Sequence, residues 1–341
     1  MRIQKKQIKT LLFLSILIFI GIFLWNTDFQ AVWKELHNIG YRFLYLMGIT
    51  YLAYLIGTWS WHVCLGSDRD KISVFRLFSL RQVGETVGQY NPTSIVGGDM
   101  LKVELLKPYG IGTSNAANSV ATSRITAVLS QILLFLIACI WLLSSPSGQF
   151  IIDKFGALFY GLVALLALAK ITLFFWLGRK TKQAKPAKPT EEQSFWRRLS
   201  LRIQGLLWDI RTFYQNHPRM FWYSYLLAAL HWVVGSLEFY LILRFLGYDV
   251  RPMHGLLLDM SVIVFKSLGA FIPGQLGVEE LGNKMMLAAI GISTASLWIT
   301  VSILRRARQL CWIAIGFILY LFIKKSDYVS SHEMGSLIRK S

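Results

Sequence analysis

Residues 88–99 read GQYNPTSIVGGD and residues 269–280 read GAFIPGQLGVEE, and the match between these two stretches shapes the interpretation of the whole chain. One constant shift, which places Gly88 on Gly269, carries the first stretch onto the second without a gap; we call it the repeat offset. In each copy a glycine precedes a proline by four positions, and a carboxylate follows that proline by seven. An arginine then lies inside the next apolar run, at Arg124 and at Arg305. The pattern predicts an internal repeat, and the alternative is a coincidence of ordinary Gly and Pro kinks.

The rest of the chain has the composition of a membrane protein. Of its 341 residues, 54% are hydrophobic and 16% are charged, whereas a soluble domain carries about 25% charged residues. Its apolar runs mostly lack a polar face and are long enough, or nearly so, to cross about 30 Å of hydrocarbon. These runs are residues 11–25, 44–61, 125–143, 155–177, 220–246 and 297–323. They predict an all-α integral membrane protein with about six full transmembrane helices.

Lysine and arginine are concentrated in alternate loops, which predicts the topology. Residues 2–9, 69–81, 179–219 and 324–340 are basic, whereas residues 26–41 and 144–153 are poor in basic residues. Both termini are therefore expected in the cytoplasm, with the chain in the cell inner membrane. Residues 26–29 lack a small-x-small cleavage site, so the first apolar run is interpreted as a retained span rather than a signal peptide.

Two apolar segments are left over from the six crossings, residues 75–110 and 254–291. Each is broken by Gly and Pro and begins and ends on one side of the membrane. We expect each to enter the bilayer as a re-entrant broken hairpin and to turn back, the two entering from opposite faces. That arrangement is an inverted repeat, from which many transporters are built. The residues expected at the hairpin turns are Pro92, Gly97 and Gly98 in the first, and Pro273, Gly274 and Gly277 in the second.

The predicted organisation is a single transmembrane domain over residues 8–325, with repeat halves at about 42–144 and 219–323. A cytoplasmic linker and an amphipathic helix occupy residues 179–218 between the halves. Apolar residues recur at helical spacing over 194–214, with arginines on other faces. This pattern favours a helix lying on the anionic inner leaflet. The alternative is a polar connector that packs on the transmembrane bundle.

Charged residues inside membrane segments are costly and commonly functional. The hairpins and the runs that follow them contain such residues, namely Asp99, Lys102, Arg124, Glu279, Glu280 and Arg305, with Lys266 and Arg306 as further partners. One interpretation is that arginine–carboxylate pairs only staple helices together, with Asp99 capping a helix N-terminus. The other is that the charges of both halves line one polar cavity for a headgroup.

Several function classes are not favoured by the sequence. The net charge of +18 lies in short juxtamembrane loops, which favours membrane orientation or attraction to anionic lipid rather than nucleic-acid binding. The three cysteines and six histidines show no metal-ligand spacing, so no metal site and no cofactor are predicted. There is also no Walker A motif, so ATP is not expected to be the energy source within this chain.

Taken in order, Pro92, Gly97-Gly98-Asp99, Arg124, Pro273-Gly274 with Gly277 and Glu279, and Leu304-Arg305 resemble the lysylphosphatidylglycerol synthase transmembrane region. The resemblance covers about residues 8–325. Departures are Lys102, where the family usually has Arg, and Ser123, where it often has Glu. The resemblance implies flipping of a membrane phospholipid or a lipid-linked molecule between leaflets.

Full-length synthases of this kind carry a soluble aminoacyltransferase domain after the membrane region. The chain ends soon after its last apolar run, so this domain is expected to be absent and no catalytic residue is predicted. The alternatives are a non-catalytic subunit of a separate synthase or transferase, or a membrane-embedded lipid or polyprenyl-phosphate transferase. The sequence does not specify the oligomeric state.

Overall fold

The computed structural model describes residues 29–90, 94–145, 149–179, 194–268, 277–292 and 295–338. These residues form helices joined by short turns, and no strand occurs among them, which confirms an all-α integral membrane protein. The helices are α1 (Phe29–Ile39), α2 (Arg42–Cys64), α3 (Val74–Tyr90), α4 (Ser94–Leu106), α5 (Thr113–Leu143), α6 (Gln149–Gly178), α7 (Phe195–Asn216), α8 (Pro218–Phe245), α9 (Pro252–Leu268), α10 (Val278–Ala289) and α11 (Ala295–Ile338).

Within the described residues, four stretches are long and apolar enough to cross a membrane. They are Arg42–Cys64, Thr113–Leu143, Pro218–Phe245 and Leu297–Ile323. Each coincides with a predicted span. A fifth predicted span lies in α6, whose apolar part is recorded over Val163–Gly178. The first predicted span, residues 11–25, lies outside the described residues.

The helices α2 and α8, which are equivalent at the repeat offset, run in opposite directions. The start of α2 contacts the end of α8, because Arg42 donates a hydrogen bond to the carbonyl of Phe245 at 3.4 Å. The end of α2 contacts the start of α8, because the Ser60 hydroxyl bonds the Ser224 carbonyl at 2.8 Å. Contacts that run in this crossed order require antiparallel helices. This antiparallel packing of α2 and α8 is the orientation that an inverted repeat predicts.

The turns of the two halves match at the repeat offset. Gly66 and Gly247, which follow α2 and α8, both have positive φ angles, of 61° and 88°. Gly110 and Gly291, which precede α5 and α11, have φ angles of 70° and 84°. Glycine adopts these angles without the steric cost that a Cβ would add. The turns at Gly66 and Gly247 thus extend the match of the two halves beyond the region that the sequence comparison covered.

Each half contains an antiparallel helix pair where a broken hairpin was expected. Helix α3 packs on α4, and α9 packs on α10. The first helix of each pair also packs on the last helix of the other half, α3 on α11 and α9 on α5. The two halves are therefore interlocked. Entry of the two pairs into the bilayer from opposite faces stays a prediction.

The expected turn residues are only partly in turns. Pro92, Pro273 and Gly274 lie outside the described residues, and Gly277 is the residue before α10, with φ of 80°. The assignment of Gly97 and Gly98 to a turn is wrong, because α4 already begins at Ser94. A Cβ on Gly98 would lie 2.5 Å from the carbonyl oxygen of Gly84. Gly98 therefore allows α3 and α4 to pack closely along their backbones.

Helix α7 packs on the transmembrane bundle over part of its length, as the alternative for the amphipathic segment predicted, and its position on the inner leaflet stays a prediction. Ser194 is its N-cap and accepts a hydrogen bond from the backbone of Arg197 at 3.4 Å. At its other end Ile210 is buried against the bundle, whereas Trp196 near its start is 75% exposed. The second half of the helix thus packs on α5, α6 and α8, and the first half leaves an exposed aromatic residue beside arginines.

Candidate functional site

The first hairpin and the following span are joined by an arginine–carboxylate pair. Arg124 on α5 donates from Nη2 to Asp99 Oδ1 at 2.8 Å and from Nε to Asp99 Oδ2 at 3.2 Å. Two parallel bonds of this kind fix both the distance and the orientation of the groups. Asp99 lies well inside α4, so the alternative that it caps a helix N-terminus is wrong.

Lys102 ties the two helices of the first hairpin together. Its ammonium lies 2.6 Å from a carboxylate oxygen of Glu85 on α3 and 3.1 Å from Asp99. A Cβ on Gly84 would lie 2.5 Å from Lys102 Cγ, so the glycine leaves the space that the lysine stem fills. This arrangement places a buried cation between two carboxylates.

Arg81 lies on α3 one turn before Glu85. Its guanidinium donates to the backbone carbonyl of Tyr54 on α2 at 2.5 Å and lies 5.6 Å from the centre of the Tyr54 ring. Arg81 is within electrostatic range of Glu85 and Arg124. We refer to Arg81, Glu85, Asp99, Lys102 and Arg124 as the first cluster.

In the second half, Arg305 is surrounded by carboxylates from three helices. It bonds Glu279 on α10 at 2.8 Å, Glu238 on α8 at 3.3 Å and Asp259 on α9 at 3.4 Å. The guanidinium also lies 4.0 Å from the centre of the Phe239 ring. Arg305 thus joins α8, α9, α10 and α11 in one ionic network.

Two further cations complete this network. Lys266 lies 3.0 Å from Glu279, and Arg308 lies 2.6 Å from Glu238. Arg308 also donates to the hydroxyl of Tyr54 at 3.1 Å. We refer to Glu238, Asp259, Lys266, Glu279, Arg305 and Arg308 as the second cluster. Because Arg81 of the first cluster bonds the Tyr54 carbonyl, Tyr54 links the two clusters.

Glu280 forms a separate pair. It accepts hydrogen bonds from Arg306 and a 2.8 Å bond from the backbone N–H of Gly277. The repeat offset matched Asp99 with Glu280, yet the partner of Arg305 is Glu279. Glu280 instead satisfies the free N–H at the start of α10, a capping role that Asp99 does not have.

The two clusters differ most in their exposure. The side chains of Glu85 and Arg124 are 38% and 36% exposed, whereas those of Glu238 and Arg305 are 6% and 7% exposed. Glu85 and Arg124 thus make the first cluster accessible at the surface of the bundle, with Lys102 buried beneath them, whereas the centre of the second cluster is enclosed. Because charged groups avoid lipid tails, an accessible cluster in a membrane domain is expected to face water or a lipid headgroup.

Sequence reasoning found Asp99, Lys102, Arg124, Glu279, Glu280 and Arg305, and the structure distributes them over both clusters and the Glu280–Arg306 pair. It missed Arg81, Glu85, Glu238, Asp259 and Arg308. A signal existed, since Glu238 and Asp259 are carboxylates within apolar runs, and Glu85 matches Lys266 at the repeat offset. Neither signal shows which partner each charge meets.

Comparison with known proteins identifies the family to which the chain belongs. The family described as lysylphosphatidylglycerol synthase TM region matches residues 8–316. The chain therefore belongs to this family of membrane proteins. No curated protein and no solved structure matches the chain.

Proposed function

We propose that this protein moves an anionic phospholipid or a lipid-linked molecule between the two leaflets of a cell inner membrane. The observation that carries the proposal is the pairing of Asp99 with Arg124 and of Glu279 with Arg305 in two inverted halves. In transporters built from inverted repeats, broken helices of the two halves form the substrate site near the bilayer midplane. The family description, which concerns a lipid synthase, supports a lipid as the substrate.

The charged residues divide into cations that attract an anion and carboxylates that neutralise those cations. Arg124 and Lys102 are suited to a phosphate headgroup, because guanidinium and ammonium groups form strong charge-assisted hydrogen bonds to phosphate. Asp99 already occupies two N–H groups of Arg124, so it competes with an incoming anion for that arginine. Glu279, Glu280 and Arg305 hold the matching helices of the second half in place.

The proposal assigns no catalytic residue to the described part of the chain. The alternative function is that of a membrane subunit of a lipid or polyprenyl-phosphate transferase system, or of the transferase itself. Such a protein would bind its lipid without carrying it across. A direct transport measurement separates the two functions.

The test uses vesicles that contain the purified full chain and a fluorescent phosphatidylglycerol, with a membrane-impermeant quencher reporting which leaflet holds the label. Wild-type protein is expected to expose inner-leaflet label faster than protein-free vesicles, and Arg124→Gln is expected to remove this effect. Arg244→Gln is the matched control, because Arg244 pairs with the fully exposed Asp249 outside the clusters. Transport by a stable Arg124→Gln protein at the wild-type rate would favour the subunit function.

We also propose that both termini face the cytoplasm. The basic loop around Lys185 would then be inside and the short turn at Asp249 outside, in line with the distribution of lysine and arginine. In a cysteine-free background, an impermeant thiol reagent applied to intact cells should label Asp249→Cys and not Lys185→Cys. The opposite labelling pattern would reverse the topology.

A further inference from the structure

The two halves carry different residues at two positions beside the charged clusters. At the repeat offset, Gly57 on α2 corresponds to Glu238 on α8. Phe78 on α3 corresponds in the same way to Asp259 on α9. The second half thus supplies two carboxylates to Arg305 from positions where the first half has a glycine and a phenylalanine.

These two differences between the halves give the clusters different net charges. The second cluster balances Lys266, Arg305 and Arg308 with Glu238, Asp259 and Glu279. The first cluster has three cations, Arg81, Lys102 and Arg124, and two carboxylates, Glu85 and Asp99. Among the described residues the second cluster is therefore neutral, and the first has an excess positive charge.

The excess cation occupies the place of the missing carboxylate. A Cβ on Gly57 would lie 2.8 Å from Nη1 of Arg81, so the glycine makes room for the guanidinium. Arg81 forms no ion pair with a carboxylate of the described residues, and it donates instead to the neutral carbonyl of Tyr54. The nearby carboxylate of Glu85 is already paired with Lys102, so it compensates Arg81 only in part. An incompletely compensated cation in a membrane domain is suited to a mobile anion.

A purely structural role for Arg81 would be to stabilise the packing of α3 on α2. That role accounts for the bond to Tyr54 but not for the adjacent excess of charge or for the exposure of Arg124 and Glu85. A staple is most stable when its charges are paired and buried, as they are around Arg305. The first cluster differs in that Arg81 forms no ion pair and Arg124 and Glu85 are exposed, and these are the properties of a site that an anion enters and leaves.

We propose that Arg81, Lys102 and Arg124 form the phosphate-binding site for an anionic phospholipid. The second cluster binds no anion, because the carboxylates of Glu238 and Asp259 already neutralise its cations. The proposal rests on the proposed function, since it names which of two related clusters holds the substrate. It adds Arg81 as a contact for the phosphate and Gly57 as the residue that keeps the site open.

The test introduces the carboxylate of the second half into the first. Gly57→Glu places a carboxylate beside Arg81, and Gly57→Gln is the matched control with nearly the same volume and no charge. The probe is dihexanoyl-phosphatidylglycerol, titrated into the detergent-purified full chain below its critical micelle concentration. Wild type is expected to bind it most tightly, and Gly57→Gln more weakly, because any side chain at position 57 meets the Arg81 guanidinium. Gly57→Glu is expected to bind it at least about tenfold more weakly than Gly57→Gln, because its carboxylate also neutralises Arg81. Equal affinities for the Glu and Gln variants would overturn the proposal.

Two further measurements keep the test decisive. If Gly57→Glu does not fold, Arg81→Gln replaces it and is expected to show the same loss, with Arg81→Lys retaining part of the affinity; unchanged binding by Arg81→Gln would overturn the proposal. Inorganic phosphate is titrated separately and is expected to bind far more weakly than the lipid. Binding of phosphate as tight as that of the lipid would assign the site to a soluble phosphate and would overturn the lipid assignment.

The binding assay tests the phosphate site and the transport assay tests the function, so a negative result in one does not decide the other. Discrimination between Gly57→Glu and Gly57→Gln without transport by the wild type would leave the phosphate site standing and remove the transport function. Transport by the wild type with no such discrimination would leave the function standing and remove the site.

Discussion

The first and second clusters occupy equivalent places in two inverted halves, yet they have different physical properties. The second joins α8, α9, α10 and α11 through an enclosed and neutral network around Arg305. The first joins α3, α4 and α5 through a more accessible network of two cations and two carboxylates, beside which Arg81 adds a third cation. A repeat can thus keep its arginine in both copies while only one copy keeps it available to a ligand.

The largest effect on stability is expected from Glu238→Gln. Glu238 contacts both Arg305 and Arg308, so its neutralisation leaves two buried cations short of a partner. Breaking a buried ion pair from one side typically costs about 3–5 kcal/mol. The measurement is the thermal unfolding midpoint of the detergent-purified variant. A midpoint within experimental error of the wild type would show that the second cluster is not a stabilising network.

Glu279→Gln is expected to give a similar but smaller loss. Glu279 accepts from Lys266 and Arg305, but Arg305 keeps Glu238 and Asp259 as partners. The loss should be about 2–4 kcal/mol, seen as a lower unfolding midpoint and a lower yield of monodisperse protein. A fully stable Glu279→Gln protein that no longer moves lipid would contradict the comparison, since it would give the second cluster the role assigned to the first.

Arg124→Gln is expected to lower the stability little and to remove lipid movement. Its side chain is 36% exposed and its carboxylate partner Asp99 keeps Lys102, so the stability loss is expected to stay below about 2 kcal/mol. The lipid movement described above should nevertheless disappear. Size-exclusion chromatography and unfolding of the same sample provide the control. Severe destabilisation would show that the first cluster is mainly structural.

The smallest effect is expected at Glu280, which belongs to neither cluster. Glu280→Gln keeps an oxygen that can accept from the Gly277 N–H and loses only the ionic part of the contact with Arg306. The expected cost is about 1 kcal/mol, with lipid movement unchanged. Glu280→Ala removes the cap as well and should be less stable than Glu280→Gln. Equal stability of the two variants would argue against the capping role.

Much of the fold could be predicted from the sequence because its signals are local. The apolar runs 44–61, 125–143, 220–246 and 297–323 each coincide with a long helix of the structure. The two apolar segments left over from the crossings located both helix pairs, and the distribution of lysine and arginine predicted that the repeat is inverted. The glycine assignments at Gly97 and Gly98 failed, because a glycine that allows two helices to pack closely has the same local appearance as one that forms a turn.

Hydrophobicity, chain breakers and residue spacing were enough to predict the membrane class, most of the long helices, an internal repeat and the charged residue types that recur in both halves. These signals act over short stretches of chain. The packing of distant helices was needed to show that Arg305 pairs with Glu279 rather than Glu280, and that Gly57 lies beside Arg81 while its counterpart Glu238 bonds Arg305. The same packing makes one cluster enclosed and the other open. The interaction free energy of a charged group in a membrane protein depends on its partners and on the water around it, and neighbours in sequence do not specify either.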